Sequence, residues 1–282
     1  MIAEKTIQIN GQPVFYRIVG EGQPVVLLHG YAEDGTVWEN QTAYLQNKFQ
    51  LIIPDLPGSG KSTFDFAQNV QGQSALGPFD SAHGMEYFAE CIKSVLDNEN
   101  LSQVTMIGHS MGGYITLAFA DKYPNRLRSF GLFHSTAYPD SEEKKTARRR
   151  GIEFIQQNGP VKFLEQSIPN LFCEEFRKKD PKTVQKILAR YTNFTSQSLV
   201  NYYEAMMLRP DRTHVLKSFP GPVLFILGKY DTAVPLEQGL QQCYMPGLSY
   251  IHVLEHSAHM GMWEEPSFSN PFIEDFLVRV IE

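Results

Sequence analysis

The sequence predicts an α/β fold: a mostly parallel central sheet covered by helices, with a helical block inserted late in the chain. Short, nearly continuous apolar runs recur along it, among them "PVVLLHG", "FQLIIPDL", "QVTMIGHS" and "GPVLFILGKYD". Strands buried on both faces have this composition. Helix-like segments alternate with the runs, the order an open α/β sheet requires. The alternation lapses over residues 136–212, where helical patterns follow one another with no strand between them.

Taken in order, the chain opens on a hairpin, because "KTIQI" and "PVFYRIV" alternate apolar and polar residues about the turn pair Asn10-Gly11. The strands "PVVLLHG" and "FQLIIPDL" follow. Residues 64–84, rich in Gln, Ser and Gly and without Lys or Arg, read as a long loop that fits a functional flap or a disordered link equally well. Then come the helix "MEYFAECIKSVLDNE", the strand "QVTMIGHS", the helix "GGYITLAFADKYP" ending at Pro124, and the strand "LRSFGLFHS". The next four patterns, "SEEKKTARRRGIEFIQQNG", "VKFLEQSIPNLF", "DPKTVQKILARYTN" and "SQSLVNYYEAMMLR", are helical. Asp180-Pro181 starts the third well, a capping side chain ahead of a proline at the first helical position. "GPVLFILGKYD" and "LSYIHVLEH" return to buried strands. The expected organisation is a core of residues 1–135 and 213–282 with a helical cap over 136–212.

Composition narrows the class. A chain of 282 residues with 42% hydrophobic and 20% charged residues suits a soluble enzyme with a sizeable core. A net charge of −6 argues against nucleic-acid binding. "MIAEKTIQIN" lacks the apolar run of a signal peptide, and no later run approaches a membrane span. Cys91, Cys173 and Cys243 are odd in number and far apart, giving neither a metal-ligand spacing nor a disulfide framework, so a cytoplasmic location is expected.

Two glycine motifs compete for the chemistry. "DLPGSGKS", residues 55–62, ends like a phosphate-binding loop. That loop needs glycine where Asp55 stands, and a carboxylate there would face the phosphates. No helix pattern begins at Lys61, so the segment reads as a turn off a strand end. "VTMIGHSMGGY" is the stronger signal: an apolar strand runs into Gly108-His109-Ser110-Met111-Gly112 and directly into a helix. This G-x-S-x-G setting is a nucleophile elbow, with the Ser110 hydroxyl projecting at a helix N-terminus. Taken alone, Ser110 as an ordinary helix cap is the lesser alternative.

With these residues in view, the sequence resembles the α/β-hydrolase family, in its serine-nucleophile branch of esterases, enol-lactonases and haloperoxidase-like hydrolases with a helical cap. "LLHGYAEDGTVW" looks like its His-Gly loop, "PDLPGSGKS" like its D-x-x-G-x-G-x-S loop, "FILGKYDTAVP" like its acid-bearing loop and "HSAHMGMWEEP" like its histidine loop. The resemblance spans nearly the whole chain outside the cap and makes the phosphate-loop likeness accidental. It implies the α/β-hydrolase fold, and its serine argues against the aspartate-nucleophile dehalogenases and epoxide hydrolases.

A serine hydroxyl needs a base within hydrogen-bond reach. The family spacing to Glu264 and Pro266 places that base at His259, ahead of His29, His83, His109, His134, His214, His252 and the near rival His256. The base needs an orienting carboxylate. The resemblance gives Asp231 that part, with Asp140 as a second candidate. The oxyanion donors it implies are the backbone N–H groups of Tyr31 and Met111. Such chemistry requires no cofactor and no metal.

The expected activity is hydrolysis of a small or medium ester or lactone, with a small-molecule substrate as partner, no nucleic acid or membrane, and the oligomeric state left open. The rivals are a carbon–carbon bond hydrolase of the ring-fission type and a slow-turnover ligand receptor of the same fold. Phe154, Phe163, Phe172, Tyr202, Tyr203, Met206 and Met207 are candidates to line the pocket, though most suit the cap's own core. "ARRR", Arg148 to Arg150, reads as a solvated face balanced by Glu142 and Glu143 rather than as a carboxylate clamp.

Overall fold

The structure is a computed structural model that describes residues 2–9, 11–63, 84–191 and 193–280. The long link at 64–83, including His83, and Asn10 of the first turn lie outside the described residues. One eight-stranded sheet organises the chain. Its strands are β1 (Ile2–Ile9), β2 (Gln12–Val19), β3 (Gln23–Leu28), β4 (Phe49–Pro54), β5 (Val104–His109), β6 (Leu127–Phe133), β7 (Val223–Gly228) and β8 (Ser249–Leu254). The order across the sheet is β1-β2-β4-β3-β5-β6-β7-β8. The hairpin β1–β2 and the β2–β4 pair are antiparallel, and every later pair is parallel. Gly11 turns the hairpin with φ of 79°, a conformation open to glycine.

Burial follows position in the sheet. Every residue of β5 and of β7 is buried. β8, which reads in sequence as a doubly buried strand, is instead the half-exposed edge. One face of β8 is covered by α12 (Pro266–Arg279), where Phe272 stacks on His252 at 3.9 Å. Among the described residues its outer side has no neighbouring strand, and an apolar run does not encode that difference.

The helices of the core are α1 (Glu39–Leu45), α2 (Gly84–Asn98) and α3 (Met111–Lys122). Between β6 and β7 lie α4 (Glu142–Asn158), α5 (Pro160–Ser167), α6 (Glu174–Lys179), α7 (Pro181–Arg190), α8 (Ser196–Leu208) and α9 (Thr213–Ser218). Their ends carry ordinary caps. Ser141 accepts from Lys144 N–H, Asp180 from Thr183 N–H and Thr195 from Ser198 N–H, and each occupies an N–H that a helix start leaves unpaired. Two short helices, α10 (Leu236–Leu240) and α11 (Gly261–Glu264), flank β8 in sequence. Among the described residues, no helix is long and apolar enough to cross a membrane.

Candidate active site

The loops at the C-terminal ends of β3, β5, β6 and β7, with the loop after β8, converge on Ser110. β5 delivers the chain to Ser110 with φ of 51° and ψ of −115°, strained for a non-glycine residue. Two glycines permit that turn. A Cβ on Gly108 would lie 2.2 Å from the carbonyl oxygen of Gly112, and one on Gly112 would lie 2.5 Å from that of Leu28. α3 then starts at Met111, whose N–H is one of the first four in the helix and has no carbonyl partner within it.

The Ser110 hydroxyl lies 2.9 Å from His259 Nε2, and His259 Nδ1 lies 2.7 Å from Asp231 Oδ2. The other carboxylate oxygen, Oδ1, accepts the N–H groups of Ala233 and Val234 at 2.8 and 2.9 Å. Burial alone would push the Asp231 carboxyl up. The adjoining His259 and His134 rings instead hold it far below the usual carboxylate range. An ionised Asp231 makes His259 Nδ1 the donor, which leaves Nε2 free to accept from the serine hydroxyl.

The loop carrying His259 hangs on two consecutive carboxylates. Glu264 accepts the N–H groups of Ala258 and Met260, each at 3.0 Å, and that of Cys173 at 2.7 Å. Burial raises its carboxyl to about 7 despite those three donors. Glu265 accepts from His256 N–H at 2.8 Å and from the Ser257 hydroxyl at 2.7 Å. His259 N–H donates to Leu171 O at 2.9 Å, so the residues just before α6 are tied to this loop at two points.

Beneath the serine lies a buried pair that the motifs did not disclose. Glu33 Oε2 accepts from Gly30 N–H at 2.7 Å and faces His109 Nδ1 at 3.0 Å. His109 Nε2 faces the His259 carbonyl oxygen at 2.9 Å. A carboxylate and a carbonyl can only accept, so both ring nitrogens must carry protons and His109 is an imidazolium. Burial pushes its pKa down, but the Glu33 carboxylate outweighs burial and carries it above the ordinary value of 6.5. The only signal in the sequence was an acid three residues past Gly30 and a histidine ahead of Ser110.

The other histidines have separate partners. His29 Nε2 accepts from Leu56 N–H at 2.9 Å, His214 pairs with Asp121, and His256 is exposed, 3.9 Å from Glu175. Asp140, the second acid candidate, has its oxygens on Arg148 at 2.6 Å and Arg209 at 2.9 Å. Arg149 and Arg150 are exposed as expected, whereas Arg148 turns inward to Asp140 and over the Tyr203 ring at 5.3 Å. A buried carboxylate within reach outcompetes solvent for that guanidinium.

The loop over residues 55–62 is closed on itself. Asp55 accepts from Gly35 N–H and Lys61 N–H and pairs with Arg17, while Gly58, Ser59 and Ser62 N–H groups all donate to carbonyls. The N–H groups of Leu56, Gly58, Ser59, Lys61 and Ser62, which would face a phosphate, are already used. A cleft of about 290 Å³ lies beside this loop, but its cations Arg17, Lys61 and Arg190 pair with Asp55, Glu4 and Glu39.

Aromatic side chains from the helices between β6 and β7 cover the His-Gly loop. Tyr31 stacks on Tyr203 of α8 at 4.3 Å and meets Phe163 of α5 edge-on at 6.4 Å. Tyr202 and Phe172 are fully buried, as interior packing requires. A cavity of about 90 Å³ sits next to Tyr31, walled by Ile168, Leu171, Ile187, Tyr203 and Met260. It is mostly apolar and borders the loop that carries Tyr31 N–H and the residue after His259.

Comparisons with known proteins agree on the fold. Residues 23–149 match the family model described as alpha/beta hydrolase fold. An esterase from Thermogutta terrifontis, solved with malate bound, superposes with a TM-score of 0.85 at 29% identity, covering 99% of each chain. The chain has the α/β-hydrolase fold. The enol-lactonase from Burkholderia xenovorans shares this fold with a TM-score of 0.85 at 20% identity, covering 97% of this chain and all of that one. A 2-hydroxy-6-oxononadienedioate/2-hydroxy-6-oxononatrienedioate hydrolase from Paraburkholderia phymatum is 27% identical over 94% of this chain and 90% of its own length. The chain is therefore a hydrolase in the coarse sense, with the bond it cleaves to be argued from its site.

Proposed function

We propose that this α/β hydrolase cleaves small carboxylic esters or lactones through an acyl-enzyme on Ser110. The observation that carries the reading is the hydrogen-bonded run from the Ser110 hydroxyl through His259 to Asp231, mounted on a strained turn at a helix start. Ser110 Oγ attacks the ester carbonyl while His259 Nε2 takes its proton. The N–H groups of Tyr31 and Met111 hold the oxyanion, each such donor being worth roughly 10²–10³ in rate. Collapse of the tetrahedral intermediate breaks the bond to the alkoxy oxygen, and His259 returns the proton to that leaving group. Water then attacks the acyl-enzyme, giving its proton to His259, and the acid leaves as Ser110 recovers its hydrogen. No step calls on a metal or an organic cofactor.

The helices between β6 and β7 serve in this reading as a cap that sets substrate size. The cavity of about 90 Å³ receives the acyl chain, because it adjoins both an oxyanion donor loop and the base loop. At roughly 30 Å³ per small heavy atom it holds about three, fewer than the ~150 Å³ that admits benzene. Hydrolysis of p-nitrophenyl esters from acetate to palmitate, with Ser110→Ala as control, tests the reading. Rates should peak at two to four acyl carbons and vanish in the control. Ile187→Ala, which removes three carbons from the wall, should move the optimum about two carbons longer. Equal hydrolysis with and without the Ser110 hydroxyl would sink the proposal.

A second reading has its own support. The Paraburkholderia phymatum relative is named for a hydrolase of 2-hydroxy-6-oxo dienedioates, which are carbon–carbon substrates. The same three residues would serve that cleavage. Turnover of a vinylogous diketone in place of any simple ester would favour it.

A further inference from the structure

His134 follows β6 directly, fully buried and with φ of 49°, a conformation that costs a non-glycine residue energy. Its ring occupies a slot that two glycines keep open. A Cβ on Gly228 would lie 2.8 Å from its Cε1, and one on Gly261 would lie 2.5 Å from its Nε2. Nε2 accepts the Gly261 N–H at 3.2 Å, which assigns the proton to Nδ1. Nδ1 has no hydrogen-bond partner of good geometry among the described residues, and it lies 3.3 Å from Asp231 Oδ2. That is the same oxygen that faces His259.

We infer that His134 is a positioning residue for the acid of the site, a second donor that shares the charge of Asp231 Oδ2 with His259. The inference rests on the esterase reading above and deepens it. With Oδ1 accepting from two backbone N–H groups, and Oδ2 flanked by His259 Nδ1 at 2.7 Å and His134 Nδ1 at 3.3 Å, the carboxylate is restrained beside the base. Burial holds His134 down to about 4, so it acts as a neutral dipole and adds no charge of its own. The groups facing this assembly are Asp231 after β7, His259 on the base loop, and the His109–Glu33 pair from the end of β5 and the loop after β3. Lys144 of α4 reaches the Ala233 carbonyl at 3.0 Å.

The sign of the effect follows from the shared oxygen. A donor that draws charge from Asp231 weakens its attraction for a positive charge on the imidazole opposite it. Losing His134 Nδ1–H should therefore move the acid limb of reactivity to higher pH. The readout is the rate at which a fluorophosphonate labels Ser110 between pH 5 and 9, which needs no natural substrate. His134→Leu should shift the acid limb up by about half to one pH unit while the plateau changes only a few-fold. His134→Asn, whose amide can donate from the position of Nδ1, should restore the wild-type limb. A uniform loss at every pH in the Leu variant, or identical limbs in all three proteins, overturns the inference and leaves the esterase reading intact. Wild-type protein that is not labelled at Ser110 overturns both. Should the Leu variant fail to fold, ¹⁵N-histidine spectra of the wild type decide: His134 must stay neutral with the proton on Nδ1 from pH 5 to 9, and an Nε2–H form contradicts the inference.

Discussion

Ser110→Ala should lower kcat for a p-nitrophenyl butyrate assay by about 10⁶-fold, and Asp231→Asn by about 10⁴-fold. The two numbers differ because the residues act at different removes from the ester. In the proposed mechanism Ser110 supplies the bond-forming oxygen, and without it only general binding and the proposed oxyanion donors remain. Asp231 touches no reacting atom. An amide in its place presents N–H to His259 Nδ1, which forces the imidazole into the tautomer whose Nε2 carries the proton and cannot accept from Ser110. The expected pattern in steady-state kinetics is a collapse of kcat with KM nearly unchanged in Asp231→Asn. A loss confined to KM would contradict the assignment of the acid.

Glu33→Gln should destabilise the fold by about 3–5 kcal/mol, because breaking one side of a buried ion pair leaves the other charge uncompensated. Both members are almost wholly buried, at 3% and 1% exposure, so solvent screening does not soften the loss. The pH dependence follows from the two shifts. Burial opposes both charges, but each partner overcomes it: His109 holds the Glu33 carboxyl below its ordinary 4.5, and Glu33 holds the imidazole above its ordinary 6.5. The carboxylate contribution is complete above 4.5 and fades as pH falls through the lowered value. The imidazolium contribution is complete below 6.5 and fades as pH rises through the raised value. Thermal melts of wild type and variant should therefore differ most between pH 4.5 and 6.5. The gap there should be about 6–15 °C. Coincident melting temperatures at pH 5.5 would show that the pair does not carry this energy. Activity should fall as well, since His109 holds the main chain of His259 and Glu33 holds Gly30, next to Tyr31.

Much of this was legible in the residues alone. Continuous apolar runs alternating with helical patterns are enough to indicate a covered parallel sheet, because burial on both faces leaves no room for polar alternation. G-x-S-x-G between a strand and a helix is equally local, since the glycines answer to clashes within a few residues of Ser110. Asp231 and His259 were readable only through their resemblance to family loops, for neither residue's neighbours mark it chemically. Tertiary structure alone decided the rest. That β8 is an edge depends on which strand lies beside it, and that Arg148 is paired depends on Asp140 being folded under it. The Glu33–His109 pair joins residues 76 apart, and His134 meets Asp231 across two strand ends. A histidine's role is set by what faces its two nitrogens, and those partners come from distant parts of the chain brought together by burial of the sheet.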